Sequence, residues 1–417
     1  MSRPQTIAEK IFSRHADRPV VAGESIVASV DIVMATDGSG PLALEYFRQM
    51  DGQRSFDGSR VLFVLDHYAP CPNDKVAGLH ERLRLFAQAG NAVLFDLGEG
   101  ICHQVLPEHG YIRPGGLIVG GDSHSTTYGA LNALGVGVGS SDLAAAALTG
   151  QLWFRVPESI RIVLTGRLPR GVAAKDLALE LLRRIGTGGA IYQSLEFAGP
   201  GLSTLAIPQR MTLCNLMSET GAKCAVVPPD DAIRAFCARR GGEGDPAPAD
   251  PGATYAGELT VSLDELEPLV GLPHAPDRVR PVRELAGTPI QMAVIGTCTN
   301  GRLEDLEEAL AAMGDAPVAP GVELLVVPAS RAVYLEASRR GLLARLVEKG
   351  GMILPPGCGP CCGSSPGIPA DGENVLSTAN RNFVGRMGNV KANIYLGSPA
   401  VVAAAAVTGR IVDPRGV

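Results

Sequence analysis

The chain has 417 residues, 46% of them hydrophobic and 19% charged, and a formal net charge of −6. This length favours two or three domains over a single core. The acidic balance argues against nucleic acid or an anionic membrane as the main partner. No apolar run approaches the roughly 18 residues of a membrane span, and the first residues lack the apolar core of a signal peptide, so we expect a cytoplasmic protein.

The predicted elements alternate between strand and helix. The N-terminal sequence MSRPQTIAEKIFSRH predicts a short amphipathic helix. Short apolar runs that end in polar or glycine-rich turns predict strands buried on both faces, as in parallel sheets. These runs lie at residues 61–67, 92–100, 116–124, 292–302 and 324–331. Helical stretches begin near residues 77, 141, 303 and 332, so the fold class is α/β and functional residues should lie at the carboxyl ends of strands.

Two changes in composition divide the chain. The segment WFRVPES separates a helical run from an apolar strand near residue 155. Residues 238–257 are rich in Gly and Pro and predict an irregular, exposed stretch. We place provisional domain boundaries near 155 and 285, which gives domains at 1–155, 156–285 and 286–417.

Three cysteines give the sharpest chemical signal. Nine cysteines in a chain without a secretion signal argue against a disulfide framework. Cys298 lies in GTCTNGR at a predicted strand end, and Cys358 and Cys361 form the C-x-x-C pair of PPGCGPCCGSS. Three thiolates suit a [4Fe–4S] cluster with one open iron, which acts as a Lewis acid. A structural zinc site, a redox pair or Cys362 as a fourth ligand remain alternatives.

Histidines lie near carboxylates at three predicted strand ends. The pairs are Asp66 with His67, Glu99 with His103, and Asp122 with His124. A neighbouring carboxylate fixes the tautomer of an imidazole and raises its basicity, which suits proton transfer. A zinc site built from these histidines is possible, but they lack the helical H-x-x-x-H spacing of a strong zinc motif.

Other polar residues complete the candidate site. Arg381 and Arg386 lie in the glycine-punctuated stretch TANRNFVGRMGN, and two guanidinium forks suit a dicarboxylate. Asn215 and Glu219 are spaced as a possible pair on one helix face, and either a functional or a core-supporting role fits them.

The order of these motifs resembles a known family. The motifs are DH, GEGICHQ, GDSH, YGALNALGVGVGSSD, GTCTNGRLEDL, CGPC and NRNFVGR. In this combination the whole chain resembles the aconitase family, and within it the short bacterial and archaeal large subunits of the 3-isopropylmalate dehydratases. The resemblance implies three α/β domains around a [4Fe–4S] cluster, without the swivelling fourth domain of full-length aconitases. A separate small subunit is then expected to supply that domain and its serine base.

The resemblance also implies roles for individual residues. Cys298, Cys358 and Cys361 would ligate the cluster. Ser123, Arg381 and Arg386 would bind substrate. The acid–base network would consist of Asp66, His67, His103, Asp122, His124 and Glu219. The implied reaction is a hydro-lyase isomerisation of 2-isopropylmalate to 3-isopropylmalate through dehydration and rehydration, in leucine biosynthesis.

Some positions depart from the family pattern and leave alternatives open. Ser125, Thr126 and Thr127 follow GDSH, and Cys362 follows CGPC, where the common short form continues with Leu. Thr36 occupies a position where aconitases proper carry a substrate-contacting Gln. These changes keep homocitrate, as in homoaconitase, and other alkylmalates such as 2,3-dimethylmalate open as substrates. A cluster-free RNA-binding or scaffold homologue is a further alternative.

Overall fold

Helices and strands alternate along most of the chain in the computed structural model, which describes residues 3–416. The helices are α1 Ile7–His15, α2 Gly40–Gln49, α3 Asp74–Phe86, α4 Cys102–Glu108, α5 Ser140–Thr149, α6 Ala174–Ile185, α7 Ile207–Leu216, α8 Asp231–Ala238, α9 Thr297–Asn300, α10 Leu303–Met313, α11 Arg331–Arg339, α12 Leu342–Glu348 and α13 Pro399–Thr408. None of these helices is long and apolar enough to cross a membrane.

The strands follow the same chain order. They are β1 Ser25–Ser29, β2 Ile32–Thr36, β3 Val61–Val64, β4 Val93–Phe95, β5 Leu117–Gly120, β6 Leu134–Gly137, β7 Gln151–Arg155, β8 Ser159–Thr165, β9 Ser194–Ala198, β10 Cys224–Val226, β11 Gly257–Ser262, β12 Leu269–Gly271, β13 Val279–Pro281, β14 Met292–Gly296, β15 Glu323–Val327, β16 Gly351–Ile353, β17 Asn374–Ser377 and β18 Asn393–Leu396. Each of the five apolar runs singled out in the sequence forms one of these strands, which confirms the α/β class.

Three sheets organise the molecule. The first has the order β4-β3-β2-β5-β6 and is parallel throughout, and the second has the order β10-β9-β8-β11, also parallel. The strands IVMAT (β2) and VLFV (β3) are buried at every position. Such strands need cover on both faces, which explains the continuous apolar runs in the sequence.

The third sheet is the largest, with the order β13-β12-β18-β17-β14-β15-β16. Its central strands are parallel, while β12 pairs antiparallel with β13 and β18. Because residues 269–281 belong to this sheet, we propose that the second domain boundary lies before residue 269 rather than near 285. The boundary near 155 stays a prediction.

The carboxyl ends of the first and third sheets approach each other closely. The Ile101 N–H donates to the Ala329 carbonyl at 2.9 Å, and the Cys358 N–H donates to the Asp66 carbonyl at 2.9 Å. Gly100 has φ +123°, and a Cβ there would lie 2.4 Å from Cα of Ser330. Glycine is therefore required for this close approach. The contact brings the polar strand ends of two sheets into one site.

Helix α1 is anchored to the second sheet by a buried carboxylate. Glu196 of β9 accepts hydrogen bonds from the N–H groups of Ile7 and Ala8, at 3.1 and 3.0 Å. Thr6 and Glu9 form a capping box at the same helix end. The predicted N-terminal amphipathic helix is thus confirmed, with its apolar face in the core.

Candidate functional site

Cys298 follows β14 in an unusual backbone conformation. Gly296 has φ +136° and Thr297 has φ +66°, in the left-handed region that β-branched residues rarely adopt. The turn is held by Arg302, which is buried and donates to the carbonyls of Cys298 at 3.0 Å and Thr299 at 2.7 Å. The geometry directs the Cys298 thiol toward the C-x-x-C loop at a cost of about 1–3 kcal/mol in backbone strain.

Amide and guanidinium groups surround the sulfurs. Asn215 and Asn380 each donate from Nδ2 to the Cys298 sulfur at 3.3 Å. Arg386 donates from Nη2 to the Cys361 sulfur at 3.4 Å. Donors of this kind stabilise thiolate ligands and tune a metal centre.

The C-x-x-C loop is compact because glycine and proline shape it. Gly359 has φ +60°, and a Cβ there would lie 2.7 Å from Cγ2 of Val327. Hydrogen bonding from the Cys358 thiol, with help from Arg386, holds the pKa of Cys361 well below its usual range. Burial and the neighbouring Cys361 raise the pKa of Cys298 to about 11. Binding of a metal at these sulfurs would release the remaining protons.

Cys362 lies at the edge of the same loop. Its sulfur is 2.6 Å from Oγ of Ser364, and it is more exposed than Cys361. Hydrogen bonding from the Cys358 thiol lowers the pKa of Cys362 to about 6. The loop therefore presents a third sulfur beside those of the two predicted ligands, Cys358 and Cys361.

Asp122 is the centre of the acid–base network. Its Oδ1 lies 2.8 Å from Nε2 of His103 and 3.4 Å from Nδ1 of His124, and its Oδ2 lies 3.3 Å from Nε2 of His67. Burial opposes the charge of this carboxylate, but the histidines outweigh it and hold the Asp122 pKa well below its usual range. Three histidines predicted from separate motifs are thus brought together around one anion.

His67 is held between two carboxylates. Its Nδ1 lies 2.7 Å from Oδ1 of Asp66, on the side opposite Asp122. Burial lowers the pKa of His67, but Asp66 and Asp122 outweigh it and raise the pKa well above the ordinary value. The two carboxylates therefore favour the protonated form of this imidazole.

Glu219 connects the histidines to Arg381, one of the two arginines predicted to bind substrate. Its Oε1 lies 2.8 Å from Nε2 of His124 and 2.7 Å from Nε of Arg381. Burial raises the pKa of Glu219, but these two cations lower it to about 2. Within residues 3–416, Arg381 makes its side-chain hydrogen bond through Nε alone, so both Nη groups remain for a carboxylate.

Ser123 is exposed at the rim of the network. It lines a cavity of about 520 Å³ together with Ser218 and Lys223. Its side chain lies outside the histidine cluster, in a position accessible to a ligand that enters from this side.

Two sequence expectations about pairing were wrong. Glu99 does not partner His103, because its carboxylate binds Arg331 at 2.8 Å and His103 binds Asp122 instead. Asn215 and Glu219 do not act as a helical pair, since α7 ends between them and each side chain reaches a different group. Tertiary contacts override sequence proximity in both cases.

Other charged residues of the site were missed. Asp37 accepts from the N–H groups of His67 and Tyr68 at 3.0 Å, and it pairs with the buried His80. Lys175 is buried beside the strand end that leads to Arg381. Lys175 appears in the sequence as one charge in a helical run, and charges in helices are usually solvated. The arginine of GTCTNGR was visible in a quoted motif, but its bonds to carbonyls could not be read from the sequence.

The site fits an iron–sulfur group better than a histidine-bound zinc. Asn380 contacts the sulfurs of both Cys298 and Cys361, at 3.3 and 3.7 Å, and the Cys358 thiol hydrogen bonds to Cys361. Oγ1 of Thr297 and Nε of Arg386 are buried without a hydrogen-bond partner among the described residues. Such polar atoms need a partner that the polypeptide itself does not provide. By contrast, His103, Asp122 and His124, whose ligand atoms lie within 4.8 Å of one another, are already joined by hydrogen bonds.

Comparison with known proteins agrees with this site. The sequence profile of the aconitase family (aconitate hydratase) matches residues 9–289 and 280–409. The chain therefore belongs to the aconitase family, and this membership implies an iron–sulfur cluster.

Within that family the chain is similar to large subunits along its whole length. The 3-isopropylmalate dehydratase large subunit 1 of Thermotoga maritima is 46% identical over 415 residues, which cover 99% of each chain. The protein of the same name from Methanopyrus kandleri is 45% identical over 413 residues, again 99% of each chain. A probable methanogen homoaconitase large subunit from Methanosarcina mazei is 45% identical over 392 residues, or 94% of this chain and 100% of that one.

Proposed function

We propose that this chain is the large, catalytic subunit of a [4Fe–4S] hydro-lyase that isomerises 2-isopropylmalate to 3-isopropylmalate in leucine biosynthesis. The observation that carries the proposal is the composition of the site between the carboxyl ends of the first and third sheets. It contains three cysteines, a histidine–aspartate network and two arginines. The names of the full-length relatives support the substrate.

Cys298, Cys358 and Cys361 would hold the cluster, with Asn215, Asn380 and Arg386 donating to the sulfurs. When bound, a cubane with one iron free of cysteine supplies a Lewis acid for the hydroxyl and one carboxylate of the substrate.

The polypeptide contributes binding and proton transfer. Arg381, with both Nη groups free of other described residues, binds a substrate carboxylate, and Arg386 binds the second. In its protonated form, His67 can give the proton on Nε2, which lies 3.3 Å from Asp122 in the absence of substrate, to the departing hydroxyl oxygen. The negative charges of Asp122 and Asp66 then stabilise the imidazole that carries the proton.

A second polypeptide completes this proposal. The relatives are named large subunits, so a small subunit is the expected partner. In the family, the swivelling domain supplies the serine base that removes the carbon-bound proton, and we propose that the small subunit does so here. The proposed enzyme is cytoplasmic and needs neither nucleic acid nor a membrane.

Homocitrate is the second candidate substrate. The similarity to a probable homoaconitase large subunit is nearly as extensive as that to the dehydratases. Thr36 lies at the carboxyl end of β2, on the sheet edge that carries Asp66 and Asp122. Thr36 has a shorter side chain than the Gln that aconitases proper carry at this position. The space available to the third carboxylate of a tricarboxylic substrate therefore differs from that in aconitases proper.

The test is an anaerobic assay of the chain with and without its co-expressed small subunit. Absorbance of the unsaturated dicarboxylate should appear with 2-isopropylmalate and only when both subunits are present. Faster turnover of homocitrate would favour the second candidate. Full activity of the single chain would contradict the two-subunit proposal.

The ligand set has its own test. We expect C298S, C358S and C361S each to lose bound iron and sulfide, while C362S, the matched control in the same loop, retains about four of each per chain. Zinc in place of iron would support a scaffold, and co-purified RNA would support a nucleic-acid binder. Loss of the cluster in C362S alone would reassign the ligands.

A further inference from the structure

Lys175 is a fully buried lysine in the first turn of α6. Its Nζ donates to the carbonyl oxygens of Thr378 at 2.7 Å and Ala379 at 2.6 Å. Two consecutive carbonyls of an irregular strand end are thus bound by one side chain.

The bound carbonyls lie immediately before two residues of the candidate site. Asn380, which follows Ala379, donates to the Cys298 sulfur, and Arg381 binds Glu219. Oγ1 of Thr378 also accepts from the Gly296 N–H at 2.9 Å, at the end of β14. Lys175 therefore binds the backbone that follows β17, at the place where Thr378 connects it to the end of β14. The residues after these two strands include Arg381 and Cys298.

The charge of this lysine lacks an ordinary partner. Within residues 3–416 it forms no ion pair with a carboxylate, and the adjacent Asp176 uses its oxygens on the N–H groups of Ala173 and Leu269. Buried ions are normally paired. Burial lowers the pKa of Lys175 to about 7, and Cys298 and Cys361 are the groups that most oppose this loss of charge. An anionic group held by those thiolates would supply the missing counter-charge.

We propose that Lys175 is a positioning residue that fixes the backbone after β17, which Thr378 joins to β14, and that its ammonium raises the reduction potential of the cluster. The cubane with three thiolates is anionic and becomes more so when reduced, so a buried cation stabilises the reduced form. The inference rests on the cluster and substrate of the proposed function.

The experiment compares three variants of the full-length chain, reconstituted anaerobically with iron and sulfide. K175M removes the charge and the donors, K175Q removes the charge but keeps an amide donor, and K175R keeps both. K349M is the matched control. Lys349 lies just before β16 and also donates to two carbonyls, those of Gly314 at 2.7 Å and Ala316 at 3.4 Å. The reduction potential of the cluster is measured by titration with dithionite, followed by EPR. The affinity for 2-isopropylmalate is measured from the change that it causes in the EPR signal of the reduced cluster.

K175M and K175Q should have lower potentials than the wild type, while K175R and K349M stay near it. The dissociation constant for 2-isopropylmalate should rise about tenfold in K175M and less in K175Q, because the amide preserves part of the clamp. A role in packing alone would leave the potential unchanged.

Unchanged potentials in folded, cluster-loaded K175M and K175Q would overturn the inference. If none of the three variants folds while K349M does, Lys175 acts in folding alone and the inference is also wrong. A wild-type chain that takes up no [4Fe–4S] cluster would overturn the proposed function together with it. A cluster that does not respond to 2-isopropylmalate would contradict only the substrate, and the potentials would still decide the role of Lys175.

Discussion

Asp122 shows how one side chain organises several motifs. Its carboxylate lies beside His67, His103 and His124, and its negative charge raises the pKa of His67 and of His124. We expect D122N to lower kcat by about 10²–10⁴-fold, since proton transfer loses its shared counter-charge. Iron and sulfide content should remain at the wild-type level, because Asp122 is not among the proposed ligands.

The control for D122N is D31N. Asp31 also binds a histidine, His15, at 2.8 Å, but it precedes β2 at the opposite end of the first sheet. A similar loss of kcat in D31N would mean that any broken aspartate–histidine pair impairs the enzyme, and would contradict the assignment of Asp122.

The raised pKa of His67 predicts the pH dependence of the reaction. Its carboxylate partners keep the imidazole protonated above the ordinary value near 6.5, so the proton donor persists through neutral pH. Activity should then fall as pH rises through the raised pKa. D66N removes the largest favourable charge and should shift this alkaline limb of kcat to lower pH. A limb at the same pH in both proteins would exclude His67 as the donor.

The sequence predicted the site residues that lie in short motifs at strand ends. A polar residue that directly follows a buried strand lies at the edge of the sheet, so its position can be predicted from the local sequence pattern. Lys175 and the Asp37–His80 pair were not predictable in the same way. Their roles depend on which sheet edge faces which, and no local pattern of the sequence contains that information.

At the scale of elements, the long periodic helices and the apolar strands were predicted, and the short strands were not. Strands β12, β13 and β16 have three residues each, which is too few for alternation to be recognised. The equally short β4 was predicted because it lies in the longer apolar run at residues 92–100. The other three become strands because a neighbouring strand offers backbone partners. For the same reason, the second domain boundary that we propose from the sheet differs from the one predicted from composition.

The anchoring of α1 gives a prediction about one element. E196A would leave the buried N–H groups of Ile7 and Ala8 unpaired, at a cost of about 2–4 kcal/mol in local stability. Hydrogen exchange of the α1 amides should accelerate accordingly. E258A on β11 of the same sheet is the control, because Glu258 forms a surface ion pair with Arg161 and should contribute less than about 1 kcal/mol. Equal protection of α1 in E196A and wild type would contradict the anchor.

At the scale of the whole molecule, each sheet has its own buried core. One cluster of apolar residues fills the first sheet, another fills the third, and the largest connects them through the second. The site lies where these parts meet, and its three cysteines are a small part of the largest cluster.

This arrangement predicts that iron removal affects activity more than fold. Treatment with a chelator and an oxidant should abolish activity while the far-ultraviolet circular dichroism stays nearly constant. Ferrous iron, sulfide and thiol should restore the activity. Unfolding of the iron-free chain would show that the metal, rather than the apolar cores, maintains the structure.

The close approach of the two sheet ends at Gly100 and Ser330 has a consequence for biogenesis. In the nascent polypeptide, Cys358 and Cys361 are near neighbours, but Cys298 reaches them only after β14, β15 and β16 have paired in register. A scaffold protein that delivers iron and sulfide must therefore act on a chain that has already folded. The thiols of Cys298, Cys358 and Cys361 are buried, so that protein has to reach sulfurs that the folded chain covers.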